Sequence, residues 1–369
     1  MVSTRILFLF RRNRLEQLQA WRNGNAPADF LYGLPFIDSN GIVCEFVEGD
    51  DNSDDWRRRI CYPFESVISR VVGIGFSLHI VWIHWKRIRR ASILVSTVDT
   101  CGLPIAMLKW LGILRAPVIY ISQGLAHRLL MRVPSGCAWL FRFAYSRFLQ
   151  SVERVLVLGE GATAPVEREF CVDPARVSIL PFGVDDRYWM PTENHSQGDY
   201  ILSIGTDAAR DYPTLLSAAV HRKLHIVTRQ RLSASLLGTE VHVSSNHSFA
   251  QLRGLYRAAR FVVIPLQDVD QPSGQSAALQ AMACGKAVIL TRTRGLWEAA
   301  HMRHMETCYL VNPGDVDNLR NGIDYLWTNP REAERIGLNG RRLVEHRYNA
   351  RALAQNLRRH VLEVVEVAG

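Results

Sequence analysis

The chain lacks the cysteine patterns that signal a disulfide framework or a zinc site. Its seven cysteines, Cys44, Cys61, Cys101, Cys137, Cys171, Cys284 and Cys308, are odd in number, scattered, and never in C-x-x-C spacing. A reducing, cytoplasmic compartment is the expectation. There is no low-complexity tract and no short-period repeat, so disorder is not the default reading. At the N-terminus a five-residue apolar run, Ile6–Phe10, is followed at once by Arg11 and Arg12. That pattern reads as a first β-strand and not as a signal peptide. The nearest approach to a membrane segment, Val71–Trp85, is interrupted by His79 and His84 and contains Gly73 and Gly75, and it is short for a span. Lys86-Arg87-Ile88-Arg89-Arg90 follows it. Two readings stay open: a helix packed on a sheet with a basic end, or a helix lying in the membrane interface.

What is present is ordinary globular sequence. The chain has 369 residues, 48% of them apolar and 21% charged, which is enough for two domains. Its net charge is +9, and residues 1–170 hold 21 Lys/Arg against 15 Asp/Glu. No recognition motif supports nucleic acid as the partner of that excess; an anionic membrane surface or a phosphorylated ligand is expected instead. The aromatic and basic stretch Trp139–Leu149 suits either core packing of its apolar face or contact with lipid. The acidic cluster of residues 50–55 reads as an exposed loop.

Buried strands are predicted at Ile6–Phe10, Ile42–Val47, Ile93–Ser96, Pro117–Ser122 and Val155–Leu158, with helical stretches between. The alternation pauses in a turn-rich stretch, residues 180–198, then resumes. Strands recur at Tyr200–Ile204, Leu224–Val227, Val241–Val243, Phe261–Pro265 and Ala287–Leu290. Two consecutive βα runs predict two doubly wound α/β units. The loops after the strands are where ligands of such sheets bind. That rule makes Gly33 and Asp99 candidates in the first half, where the strand Pro117–Ser122 opens into Gln123-Gly124-Leu125-Ala126-His127.

The most informative stretch is Phe261–Thr291. A strand opens into a loop, then Ser273-Gly274-Gln275-Ser276 leads a helix running through Ala277–Ala283. Small residues let a ligand approach the backbone closely, and free amides at the helix N-terminus suit a phosphate or hydroxyl. Gln280 lies further along and can both donate and accept. A second glycine loop, Gly205-Thr206, precedes Arg210. The fixed charge of Arg210 suits a diphosphate, although an arginine near a helix start is also commonly a solvated surface cation.

Phe261–Thr291 resembles the donor-binding segment of the family-4 glycosyltransferases. Ala281-Met282-Ala283-Cys284-Gly285 matches the end of that family's motif, while its two glutamates fall on Pro272 and Gln280. Ile204–Ala218, Pro181-Phe182-Gly183-Val184-Asp185, Val311–Asp315 and Asn339–Arg342 resemble other segments of the family. The likeness is firm over residues 180–350 and loose before. It implies the GT-B fold, with two doubly wound Rossmann-like domains facing a cleft. Residues 1–185 would be the acceptor-binding domain, 186–348 the nucleotide-sugar-binding domain, and 349–369 a helix returning to the first.

The resemblance further implies a retaining transfer from a nucleoside-diphosphate sugar to the hydroxyl of a glycan, glycolipid or small molecule. Gly205, Thr206, Arg210, Ser273, Gly274, Gln275, Ser276 and Gln280 would hold the donor. Gly33, Gln123 and Gly124 would lie on the acceptor side, with Arg210, Asp99 and His127 as catalytic candidates. The family commonly has a histidine where Gln123 stands, and Gln123 cannot titrate. Two Asp-x-Asp matches, Asp268/Asp270 and Asp315/Asp317, read as solvated turn acids, so no metal or other cofactor is expected. A non-catalytic nucleotide-sugar-binding protein and a GT-B-type epimerase remain alternatives. The expected place of action is the cytoplasm, peripherally at the inner face of the membrane.

Overall fold

The computed structural model describes residues 4–38, 41–49, 55–132, 135–192, 198–233 and 237–368. All but one residue of the acidic cluster at 50–55 lie outside them. The chain divides into two compact units. The first comprises Met1–Gln19, Phe30–Pro181 and Leu353–Gly369; the second comprises Ala20–Asp29 and Phe182–Ala352.

The first unit opens with β1 (Thr4–Phe10), from which α1 (Arg14–Arg22) leads on toward the short α2 (Leu34–Ile37) and β2 (Ile42–Glu48). Then come α3 (Trp56–Val72), α4 (Leu78–Ile83), α5 (Trp85–Ile88), β3 (Ile93–Ser96), α6 (Asp99–Trp110) and β4 (Val118–Ser122). The unit continues with α7 (Leu125–Arg132), α8 (Ser135–Gln150), β5 (Arg154–Val157), α9 (Thr163–Phe170) and β6 (Val177–Ile179). Its six strands are all parallel in the order β2-β1-β3-β4-β5-β6. Parallel pairing demands crossovers, and the helices supply them. The strands are fully buried runs such as Ile6–Phe10 and Ile93–Val95, as expected for a sheet covered on both faces.

Alternate residues define those faces. Leu7, Leu94, Tyr120 and Val155 join one core cluster with Val72, Ile80, Leu103, Leu129, Phe148 and Phe170. Hence α3, α4, α6, α7, α8 and α9 all lie over the same side of the sheet. The segment 71–85 is not one helix. Gly73 takes a left-handed conformation (φ 68°), its N–H bonds Ser69 O, and α3 stops there. This is the usual way a glycine ends a helix, and it separates α3 from α4. No helix among the described residues is long and apolar enough to cross a membrane.

The second unit contains β7 (Ile201–Ile204), α10 (Tyr212–Ala218), β8 (Leu224–Val227), β9 (Val241–Ser244), α11 (Phe249–Ala258), β10 (Phe261–Ile264) and α12 (Gln275–Ala283). It ends with β11 (Val288–Thr291), β12 (Tyr309–Val311), α13 (Val316–Thr328) and α14 (Pro330–His346). Its sheet is again parallel, in the order β12-β11-β10-β7-β8-β9. Counted from β7, that is the doubly wound order whose direction reverses between the first and fourth strands. The last helix, α15 (Ala350–Ala368), belongs from Leu353 onward to the first unit.

Candidate functional site

The direction of winding reverses between β7 and β10, so the loops leaving their carboxyl ends splay apart and leave a crevice there. Gly205 directly follows β7, and Gly274 ends the loop that follows β10. The two loops are stitched together: Arg210 forms an antiparallel bridge with Leu266, Asp211 N–H donates to Pro265 O at 3.1 Å, and Gln267 N–H to Ala209 O at 2.8 Å.

The Arg210 guanidinium occupies the space between the two glycines. A Cβ on Gly205 would strike its Nε and Cζ. A Cβ on Gly274 would lie 3.3 Å from Nη1 and 2.5 Å from Ile264 Cγ2. Nε donates to Asp207 Oδ2 at 2.8 Å, which fixes the plane of the fork. The side chain is only 3% exposed, and Nη1 is buried without a hydrogen-bond partner. A buried unpaired donor on a charged group is costly, so this atom marks a place where an anionic ligand would repay the cost.

Beside it is the start of α12. Gly274 is its N-cap, in the left-handed region (φ 74°), and no side chain caps the helix. The first-turn amides of a helix have no partners within the helix and carry the positive end of its dipole. The helix cannot shift to evade this, because Ala277, Ala278, Leu279, Ala281, Met282 and Ala283 are all buried. Its far end is held by Arg341, whose Nη1 donates to Ala283 O and to Trp189 O at 2.9 Å. Ser273, Gln275 and Ser276 line this start, and Thr206 lies on the Gly205 loop, where its Oγ1 accepts Arg229 N–H at 3.3 Å.

Gln280 takes a different part from the donor contact expected of it. Its side chain points into the packed interior of the second unit. Nε2 donates to Asp29 Oδ2 at 2.8 Å, and Oε1 accepts the Tyr256 hydroxyl at 3.2 Å. Asp29 is fully enclosed. It also accepts the Trp189 indole N–H at 2.8 Å and the Asp185 N–H at 2.6 Å. Burial pushes its carboxyl up to about 7, against the pull of those donors. Asp29 was not among the residues singled out from the sequence; nothing local to it gives a signal.

In the first unit, Asp99 and Gln123 come together at the carboxyl edge of β3 and β4. Asp99 Oδ1 accepts the Tyr120 hydroxyl at 2.8 Å and the Gln123 N–H at 3.3 Å. Burial raises the pKa of Asp99. Gln123 Nε2 donates to Thr97 O at 2.6 Å and to the Tyr32 hydroxyl. Gly124 follows in the left-handed region, and half-buried His127 lies in the first turn of α7. Gly33 has a packing reason for being glycine: a Cβ there would lie 2.7 Å from Ala354 Cα.

Neither Asp-x-Asp pair forms an open set of ligands. Arg294 spans Asp268 (3.0 Å) and Asp270 (3.3 Å). Asp315 caps α13 through the Asn318 N–H at 2.9 Å, and Asp317 pairs with Arg320. Among the described residues, no group of three or more His, Cys, Asp or Glu could hold a metal.

This architecture defines a class. The fold is the GT-B type of two parallel α/β sheets, and it covers solved glycosyltransferase structures over nearly their whole length. Against sucrose-phosphate synthase from Thermosynechococcus elongatus the TM-score is 0.71 at 16% identity, over 99% of this chain and 100% of that one. Against Anabaena HepE in complex with UDP-glucose it is 0.70 at 12% identity, over 98% and 100%. Within that class, residues 208–329 match the family "Glycosyl transferases group 1"; this segment holds Arg210, Gly274 and α12. A curated relative, the MMP α-(1→4)-mannosyltransferase of Mycolicibacterium hassiacum, is 28% identical over 213 residues, 53% of this chain. The match spans only half of that relative's length.

Proposed function

We propose that this chain is a nucleotide-sugar-dependent glycosyltransferase, retaining and independent of metal ions. The observation that carries the reading is the Arg210 guanidinium, enclosed between Gly205 and Gly274, with Nη1 unpaired beside an uncapped helix N-terminus. A diphosphate satisfies both the cation and the amides. In the transfer, the bond from the anomeric carbon to the diphosphate oxygen breaks and a bond to the acceptor oxygen forms. The acceptor's proton passes to the departing diphosphate. Negative charge grows on the leaving oxygens, where Arg210 and the α12 amides stabilise it.

No nucleophile from the protein is required, and positioning carries much of the remaining catalysis. The polar network of Asp99, Gln123 and Gly124, with His127 and Gly33, is assigned to the acceptor, a glycan, glycolipid or small molecule. The workplace assigned to the chain is the cytoplasm, at the inner face of an anionic membrane. The test is a panel of nucleoside-diphosphate sugars, screened first for thermal stabilisation and then for release of nucleoside diphosphate with and without candidate acceptors. At least one donor should bind and turn over. Donors that bind but are never cleaved would replace the transferase reading with that of a binding protein.

A further inference from the structure

Among the described residues, the most exposed aromatic side chains lie on one set of helices. The tryptophans that are at least 40% exposed are Trp56, Trp82, Trp110 and Trp139. They sit on α3, α4, α6 and α8, which cover the same side of the first sheet. They also form a run. Trp56 meets Trp82 edge-on, with ring centroids 5.1 Å apart. Trp82 and Trp85 line an open apolar groove of about 250 Å³ that extends to Leu108 and Ile113. Trp110, at the end of α6, packs at 5.7 Å from Phe148 of α8. Trp139 and Phe143 stand exposed along α8.

Charge accompanies them. Residues 56–150 contain fourteen Lys/Arg and two acids, Glu65 and Asp99, and both acids are buried. The net charge of this stretch, +12, exceeds the +9 of the whole chain. Acids from flanking segments pair with a few of these cations, as Glu45 does with Arg87 and Glu169 with Arg142. Arg59, Arg70, Lys86, Arg89, Arg90, Arg115, Arg128 and Arg147 are exposed. Some rings lie directly beneath cations: Arg57 stands 5.6 Å over Trp56, and Arg147 5.2 Å over Phe143.

We propose that this tryptophan- and arginine-bearing face of the first unit docks on an anionic bilayer. The indoles enter the boundary between headgroups and acyl chains, and the cations meet the lipid phosphates. The inference rests on the membrane partner proposed above and names the surface that meets it. A protein partner would have to match a face whose unburied charge is predominantly positive. The bilayer offers the complementary charge everywhere, and indole rings favour its interface.

The experiment is co-sedimentation with vesicles of phosphatidylcholine alone or mixed with phosphatidylglycerol. The wild type should bind the mixed vesicles at about 0.1 M salt, where the Debye length is about 10 Å, and bind more weakly at about 1 M, where it is about 3 Å. Vesicles with acyl chains brominated near the headgroup should quench its tryptophan fluorescence. Trp56→Ser, Trp82→Ser and Trp139→Ser should each weaken partitioning by about tenfold. The same variants should keep donor-induced thermal stabilisation in vesicle-free buffer, which separates this proposal from the transferase reading. Arg331→Glu, in the second unit, should bind as the wild type does. Absence of vesicle binding, absence of quenching, or partitioning indifferent to the three tryptophans would overturn it. So would a stable dimer in vesicle-free solution that the same substitutions abolish.

Discussion

The Gln280 carboxamide donates to Asp29 at 2.8 Å, joining residues 251 positions apart in the chain. The resembling family has a glutamate where Gln280 stands. A glutamate here would set a second carboxyl against Asp29, in a site where Asp29 already titrates near about 7 through burial. The glutamine and the aspartate therefore account for each other.

From that pair follows a pH-dependent defect in Gln280→Glu. A folded carboxyl near 7, against about 3.9 unfolded, means that the folded state holds the extra proton between those values. The contribution of Asp29 to stability accordingly falls as pH rises from about 4 to about 7. In the variant at pH 5, the introduced carboxyl, still protonated, can donate to Asp29, and the loss should be small. At pH 8 both carboxyls are driven to ionise, and the loss should reach about 3 kcal/mol. Urea unfolding at the two pH values reads this. A deficit equal at both would remove Asp29 as its cause.

Arg210→Ala should lower kcat by about 10²-fold while changing donor affinity less, since the leaving charge is greatest in the transition state. Arg210→Lys should recover only part of the loss. An ammonium lacks the planar fork that reaches both Asp207 and the Gly274 side. Steady-state kinetics on the folded variants measure the split, and unchanged kcat in Arg210→Ala would remove the residue from the site.

The two glycines should behave as parts of the Arg210 site. In Gly205→Ala the new methyl displaces the guanidinium, and activity should fall about as far as in Arg210→Ala. Adding Arg210→Ala to it should then cost little more, because the two changes remove one interaction. Gly274→Ala should also lose stability, about 1–2 kcal/mol for the left-handed conformation, besides its clash with Ile264. A double-mutant cycle with additive losses would mean that the glycines act independently.

The sequence makes local features legible and long-range ones not. Alternation of apolar runs gives the two βα series, and the Gly205 and Gly274 loops announce themselves because a glycine, a turn and a helix start lie within a few residues. That Arg210 fills the gap between both glycines needs the parallel pairing of β7 with β10, strands separated in the chain by two others, β8 and β9. The role of Gln280 is hidden for the same reason: its partner, Asp29, lies in a ten-residue segment of the N-terminal half that packs with the second unit. The break between α3 and α4 does leave a local mark, since Gly73 and Gly75 interrupt the apolar run that otherwise suggests one helix.

Transfer should survive chelation. Asp268 and Asp270 have the spacing of a metal-binding pair, but both are paired with Arg294, which reaches each carboxylate and also donates its backbone N–H to Asp268 at 2.9 Å. A divalent ion would have to displace that guanidinium, and it would find no third carboxylate, histidine or cysteine close enough to complete a site among the described residues. Hard cations of this kind take about six oxygen ligands, which two occupied carboxylates do not approach. In the proposed transfer, the positive charge facing the leaving diphosphate comes from Arg210 and the α12 amides. The rate after EDTA treatment should therefore stay within about twofold of the untreated rate, a difference of about 0.4 kcal/mol in the barrier. Arg294→Ala, which frees the two carboxylates, should not create a requirement for metal. Loss of activity on chelation, restored by Mn²⁺ or Mg²⁺, would reverse the assignment and make Asp268 and Asp270 the first residues to substitute.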